Sequence, residues 1–228
     1  MDIGKLLRGT ALAMIVASFG FAAAQAEVYD GISYPQFKSI LSKTNLGLTE
    51  KLTEKGNRYL LVMVPGWTVP FVATSAACGS SQDHACDGFA FFFVDTGSTM
   101  SASAMGQFNS RSSFIKIFPA AGRSIPVIKG EYYARGGITD QNVLSAGAYF
   151  SVVLQHYLEG SGASAMNSQM TAPAFAFTDT AQPEKFFAEL AKRGSPHSVP
   201  VGDKASMIDE SMIDAVVSQG PQVSDLGR

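Results

Sequence analysis

The sequence has few of the residues on which binding to charged partners or catalysis commonly depends. Its 228 residues include two cysteines, one tryptophan and three histidines, and 17 basic residues nearly balance 19 acidic ones. Proteins that bind nucleic acid carry an excess of Lys and Arg against the phosphates. A cluster of the same residues marks proteins that bind an anionic membrane surface. Neither feature is present, so we expect no nucleic acid partner.

The sequence also lacks a catalytic motif. A hydrolase of the triad type needs a nucleophile, a base and an orienting acid, and the GxSxG turn is absent. The only histidines are His84, His156 and His197. No spaced cluster of carboxylates indicates calcium or zinc. We expect no enzyme, no cofactor and no metal site. The alternative is an exported hydrolase whose site is assembled from distant residues, such as His156 with a serine and an aspartate.

No apolar run is long enough to cross a bilayer. The run of about 14 residues between Ala11 and Ala24 is shorter than the roughly 20 that a spanning helix needs. It follows Lys5 and Arg8 and is followed by a small-x-small motif, the order found in a cleavable signal. We expect residues 1–26 to be a signal peptide, with a membrane anchor as the alternative. The mature protein should be periplasmic or secreted by a bacterium, without a membrane anchor.

Cys78 and Cys86 are separated by seven residues, most of them polar. In an oxidising compartment an isolated pair of cysteines most simply forms a disulfide. A redox pair, or a metal site completed by His84, is the alternative, but the CxxC spacing and a fourth ligand are missing. The predicted disulfide would fix the register of the strands on either side.

The pattern of apolar residues predicts an α+β fold. Ser33 and Gln36 form a capping box for a helix over 33–43, with Ile32 before it and Phe37 within it as a hydrophobic staple. Thr139 caps a long helix that should run to residue 158. A small-residue stretch over 99–109 favours a further helix. The strand candidates, separated by glycine, proline and polar turns, are residues 48–54, 58–64, 69–76, 88–94, 114–118 and 125–134.

Two of these strands are apolar on both faces. The runs over 59–64 and 89–94 lack the alternation of a strand that has one face in water, so both should be central and covered on two sides. The predicted architecture is a twisted antiparallel sheet flanked by the helices at 33–43 and 139–158. A further element must supply the second covering layer.

The composition changes after about residue 160, where small and polar residues replace aromatic and branched ones. Two short helices, 183–192 and 206–217, are predicted in this region, each too short to be stable alone. The sequence therefore divides into a signal over 1–26, an α+β domain over 27–160, and a low-complexity, partly disordered or partner-folded tail over 161–228.

The domain carries, in order, a helix, a strand meander with a cysteine pair before an aromatic strand, a segment with Asn109 and Arg111, and a glycine pair that opens a long helix. In this order of features it resembles the YbjN-type family. The family is described as bacterial sensory-transduction regulators, and its fold is similar to that of type III secretion chaperones. The residues that carry the resemblance, beyond the cysteines, are Phe108, Asn109, Arg111, Phe114 and Gly136-Gly137-Ile138-Thr139.

Three residues are candidates for binding a partner. Asn109 and Arg111, near a predicted helix end, can hold a carboxylate or a backbone segment through paired hydrogen bonds. The alternative is that Asn109 caps the helix and Arg111 pairs on the surface. Trp67 lies in a turn, where it is either an exposed anchor or folds back over the sheet edge.

The leading functional hypothesis is an exported, non-enzymatic binding or regulatory module that recognises a segment of an unknown protein partner. A homodimer whose paired surface is itself the function is a further alternative. The resemblance implies either a sensory-transduction regulator or a chaperone-like role, and fold likeness alone does not choose between them.

Overall fold

The computed structural model describes residues 27–112, 114–120, 124–159, 187, 192 and 210–219. The predicted signal peptide lies outside this part of the chain. The described elements are β1 (Val28–Tyr29), α1 (Tyr34–Leu41), β2 (Gly47–Leu52), β3 (Arg58–Met63), β4 (Phe71–Ala76), β5 (Gly88–Val94), α2 (Ala102–Arg111), β6 (Ile115–Pro119), β7 (Pro126–Tyr133), β8 (Ile138–Thr139), α3 (Asp140–Glu159) and α4 (Glu210–Gln219).

The fold is α+β, as predicted. Six strands form one antiparallel sheet in the order β2-β3-β4-β5-β7-β6, and β1 pairs with β8 in a separate two-stranded ribbon. Strands β2 to β5 form the predicted meander. The chain then crosses β7 to reach the edge, where it forms β6, and returns as β7. All six predicted strands are present, and their ends differ from the predicted ones by at most two residues.

Helices α1 and α3 cover one face of the sheet, which we call the first face. The side chains of Leu60, Ala73, Phe91 and Ile128 project from β3, β4, β5 and β7 into one buried cluster with both helices. Rings at its centre pack edge to face, tilted or stacked. The aromatic quadrupole favours edge-to-face and offset-stacked pairs. The ring of Phe91 lies between Phe37 of α1 and Phe150 of α3, with centroids 5.9 and 5.8 Å away.

The local signals that begin these two helices are confirmed. Ser33 and Gln36 exchange the hydrogen bonds of a capping box at α1. At α3 the amide of Asn142 donates to Thr139 Oγ1 at 3.2 Å, and the amide of Thr139 donates to Asn142 Oδ1 at 3.0 Å. Both N-caps therefore satisfy backbone donors that the first helical turn leaves unpaired.

Helix α4 covers the opposite, second face. Ile213 and Val217 pack with Tyr59, Val72 and Phe92, all of which project away from α1 and α3. The second layer that the two-sided apolar strands require is therefore supplied here by the C-terminal region of the chain.

The C-terminal region also reaches the first face. Phe187 is a helical residue between α3 and α4 in the sequence. It is buried in the first-face cluster, and its ring lies beside Gly147 of α3. Helix α4 corresponds to the predicted helix over 206–217. The predicted helix over 183–192 has only residues 187 and 192 described, both helical. The predicted partial disorder of the remaining tail concerns residues outside the described part.

Candidate functional site

Cys78 and Cys86 form the predicted disulfide, with their Cα atoms 4.0 Å apart. Both residues are buried, and His84 between them is exposed. Because both sulfurs are used in the bond, neither is free as a thiol or a metal ligand. A disulfide of this kind persists only under oxidising conditions, so it indicates a non-cytoplasmic location.

Gln82 lies in the loop between the two cysteines. Its side-chain amide makes the hydrogen bonds to β3 that the backbone of a neighbouring strand would make. Its Nε2 donates to the carbonyl of Arg58 at 2.9 Å, and its Oε1 accepts from the amide of Arg58 at 2.6 Å. A side-chain amide has the same donor and acceptor as a peptide group, so it can extend the ladder where β3 and β4 separate. Sequence reasoning missed this role, since a glutamine among polar loop residues gives no signal of burial.

The first turn of α4 is attached to the β2–β3 turn by carboxylates. The buried Asp214 accepts from Thr53 Oγ1 at 2.6 Å and from Asn57 Nδ2 at 2.7 Å. Glu210 accepts from the amide of Glu54 at 3.0 Å. Lys55 adds a charge, with its Nζ 3.8 Å from Asp214. A carboxylate satisfied in this way tolerates burial that would otherwise be costly.

The last turn of α4 is attached to the disulfide-bearing segment. The amide of Ala77 donates to the carbonyl of Val216 at 3.4 Å, and the amide of Cys78 donates to the carbonyl of Val217 at 3.1 Å. The last four carbonyls of a helix have no partner within the helix. The segment before the disulfide loop therefore caps the C-terminal end of α4.

We predict that α4 loosens in acid. Burial raises the pKa of Asp214, but the bonds from Thr53 and Asn57 and the charge of Lys55 outweigh it, and the pKa is lowered overall. A lowered folded-state pKa gives stability that is complete above the unfolded value of about 3.9 and is lost as the pH falls through the folded value. Hydrogen exchange of residues 210–219 between pH 6 and pH 2.5, corrected for the intrinsic rates, measures the effect.

The variant Asp214→Asn is the control for this prediction. It cannot titrate, so the docking of α4 should be weaker at neutral pH and should change less between pH 5 and the acid limit. An unaltered pH dependence in the variant would assign the acid effect to other carboxylates.

Asn109 closes one edge of the sheet. Its Nδ2 donates to the carbonyl of Ile117 at 2.8 Å, and its Oδ1 accepts from the amide of the same residue at 2.7 Å. Ser112 Oγ accepts from the amide of Ile115 at 3.2 Å. These outward-facing backbone groups of edge strand β6 are thus paired by the end of α2. The paired bonds foreseen for Asn109 are present, but their target is this chain's own strand.

Of the two other candidate binding residues, only Trp67 has a described side chain. Arg111 is the last residue of α2, and its side chain is outside the described part of the structure. Trp67 is 5 % exposed and belongs to the first-face cluster. As a core residue it cannot be the exposed anchor, and the alternative of an indole folded back onto the sheet describes its position. The turn sequence alone gave no measure of its burial.

A polar cluster joins the end of β5 to α3. The Asp95 carboxylate accepts from Tyr157 Oη at 2.9 Å, from Ser98 Oγ at 2.5 Å and from the amide of Gly97 at 3.0 Å. Burial raises the pKa of Tyr157 above its usual range, so the phenol stays a donor. No histidine takes part in these bonds, and the neighbouring His156 is exposed. This cluster connects two elements and does not form a catalytic triad.

His197, the third histidine, lies outside the described residues. Within the described ranges, no three His, Cys, Asp or Glu side chains come close enough together to hold a metal ion. None of the helices described has the length and apolar content to cross a membrane.

Comparison with known proteins adds no relative from which a role could be transferred. No family model, curated protein or solved structure matches the chain. Function must therefore be inferred from the surfaces and contacts of the molecule itself.

Proposed function

We propose that the protein is a periplasmic or secreted, non-enzymatic binding module that recognises an extended segment of another protein by adding it to the sheet as a strand beside β2. The observation that carries this proposal is the asymmetry of the two sheet edges. One edge is closed by dedicated side chains, whereas the outward backbone groups of the other have no such partner among the residues that the structure describes.

Proteins usually protect exposed sheet edges, because an unpaired strand is a template for another chain. At β6 the protection consists of the bonds from Asn109 and Ser112. At β2, five of the six residues are exposed, and within the described residues their outward backbone groups have no comparable partner. The edge that lacks this protection is the one available for recognition.

The register identifies which backbone groups of β2 face outward. The amide of Thr53 donates to the carbonyl of Asn57 at 2.9 Å. Hydrogen-bonded and non-hydrogen-bonded pairs alternate in an antiparallel ladder. The residues paired with Tyr59, Leu61 and Met63 therefore bond to β3, whereas Leu48, Glu50 and Leu52 direct their amides and carbonyls away from the sheet.

Pairing of β2 with a second copy is the alternative partner arrangement. A two-fold axis through an antiparallel pair places one residue opposite its own copy. The two central residues of β2 are Thr49 and Glu50. A register centred on Glu50, or on the neighbouring Lys51, would place like charges opposite each other, which is destabilising. The charges of β2 therefore disfavour these two registers of a homodimer, and we propose a different protein as the partner at this edge. The resemblance to the YbjN-type family supports a regulatory role for such an interaction.

The variant Glu50→Pro tests the proposal. Proline removes the outward amide, and its ring obstructs an added strand, whereas the ladder to β3 does not use the amide of Glu50. Glu50→Ala is the matched control, since both variants lose the ion pair with Lys38. We expect a specific partner from the exported fraction to bind wild type and Glu50→Ala and to be lost with Glu50→Pro.

Equal recovery by both variants would show that the partner does not use the β2 edge. Recovery of no specific partner by wild type would contradict the binding module itself. Light scattering on the same proteins tests the remaining arrangement. A dimer of wild type that becomes a monomer in Glu50→Pro would identify the occupant as a second copy and overturn the proposal of a different protein.

A further inference from the structure

The disulfide and helix α4 pack in one buried cluster on the second face. Cys78 and Cys86 belong to the same buried cluster as Ile213 and Val217 of α4. The amide of Cys78 itself caps α4 through Val217. The sulfurs therefore lie under the helix whose end the disulfide-bearing segment holds.

The capping segment has a backbone conformation that needs support. Ala77 has φ of 54° and is the one non-glycine residue with positive φ among the described residues. An L-residue is strained in this region, because its Cβ comes too close to the following carbonyl oxygen. The adjoining disulfide and the bond from the amide of Asp87 to the carbonyl of Ala77, at 3.1 Å, hold it there.

The disulfide joins this segment to a rigid neighbour. Cys86 exchanges two backbone hydrogen bonds with Ile32, at 3.0 and 3.2 Å, immediately before α1. Through the sulfur bridge, Cys78 and the preceding Ala77 are fixed to that point. Gln82 anchors the middle of the loop to β3 independently. Without the bridge, Gln82 still anchors the loop and Asp87 still bonds Ala77, but Cys78, whose amide donates to Val217, loses its covalent attachment to Cys86.

Helix α4 has little stability of its own. It is ten residues long, below the about 12–15 residues at which an isolated helix becomes even marginal in water. Its docking therefore depends on contacts with the second face and on the two sets of end contacts. If the amides of Ala77 and Cys78 no longer donate to α4, the contacts at its C-terminal end are lost. The packing of Val217 beside the two cysteines loosens with them.

We propose that α4 docks only after Cys78 and Cys86 are oxidised, and that docked α4 then shields the disulfide from reductants. In the forward step, the two thiols lose two protons and two electrons to a disulfide oxidant, which is released as two thiols. In the reverse step, a reductant's thiolate must reach a sulfur that α4 covers. Since the coupling between two equilibria is reciprocal, docking and oxidation stabilise each other equally.

Two measurements test the proposal. The first is hydrogen exchange of the protein with the disulfide intact and after reduction and alkylation, and of Cys78→Ser/Cys86→Ser. We expect amides of residues 210–219 to exchange about tenfold faster or more without the disulfide, while those of central strand β5 stay protected. Equal protection of 210–219 in all forms would overturn the proposal.

The second measurement is the rate at which dithiothreitol reduces the disulfide. A thiolate of dithiothreitol attacks one sulfur, the S–S bond breaks, and its second thiol closes a ring, leaving two cysteine thiols. We expect reduction of Ile213→Asp to be about tenfold faster than that of Ala215→Asp, since only the first loosens α4. Equal rates would overturn the proposal. This comparison remains decisive if removal of the cysteines unfolds the sheet.

Discussion

Replacing Ile213 by aspartate is expected to detach α4 from the sheet and lower the free energy of unfolding by about 3 kcal/mol or more. Ile213 is fully buried against the second face. The change removes the burial of a large aliphatic side chain and places a carboxylate in a cluster whose described members are all apolar. We expect α4 to detach from the sheet, because burial of the unpaired carboxylate would cost more free energy than loss of the helix contacts. Urea unfolding measures the loss, and hydrogen exchange locates it.

Ala215→Asp is the matched control on the same helix. Ala215 is exposed, so the same charge is introduced in the same element without burial. We expect its free energy of unfolding to stay within about 0.5 kcal/mol of wild type. Similar losses in the two variants would mean that the charge acts through helix propensity or long-range electrostatics, and that α4 does not depend on its contact with Tyr59, Val72 and Phe92.

Loss of α4 in Ile213→Asp would expose the second face of the sheet. When α4 leaves, apolar side chains of β3, β4 and β5 lose their cover, and an apolar patch of this kind promotes association. Self-association of Ile213→Asp, but not of Ala215→Asp, in light scattering would be the accompanying sign. Helix α4 thus keeps these apolar side chains of the sheet out of solvent.

The fold was largely predictable from the sequence because its strands carry local signals. The run over 89–94 is apolar on both faces and lies between turns, which identifies a central strand without any knowledge of its neighbours. Because this strand is apolar on both faces, it also requires a covering layer on each side of the sheet. What covers the second face could not be predicted from the same signals, since α4 is only ten residues long and is separated by many residues from the sheet that it covers.

The contacts that organise the edges were harder to predict. Asn109 was recognised as able to hold a backbone segment, but the segment is Ile117, eight residues later in the same chain. Gln82 was not recognised at all. An amide that pairs with backbone depends on where two strand ends happen to lie, and that is a tertiary property. Trp67 shows the same limit, since its turn sequence predicts either exposure or burial and only the packing decides.

Phe91→Ala is expected to lower the free energy of unfolding by about 3–5 kcal/mol, the range for a buried aromatic residue in a core that cannot collapse. Phe91 is fully buried, and its ring contacts those of Phe37, Phe71 and Phe150 from α1, β4 and α3. Gly147 brings α3 so close that a Cβ there would lie 3.2 Å from the Phe91 ring. The two helices and the sheet therefore meet at this one side chain.

Phe118→Ala is the control, because Phe118 on edge strand β6 is 45 % exposed. Its loss should stay below about 1 kcal/mol. The conservative variant Phe91→Leu should recover part of the stability, since it refills most of the cavity. Urea unfolding of the three variants gives the comparison. Equal losses for Phe91→Ala and Phe118→Ala would show that the first-face core does not depend on the contact of α1 and α3 with β5, and that the covering layers are held by the sheet edges instead.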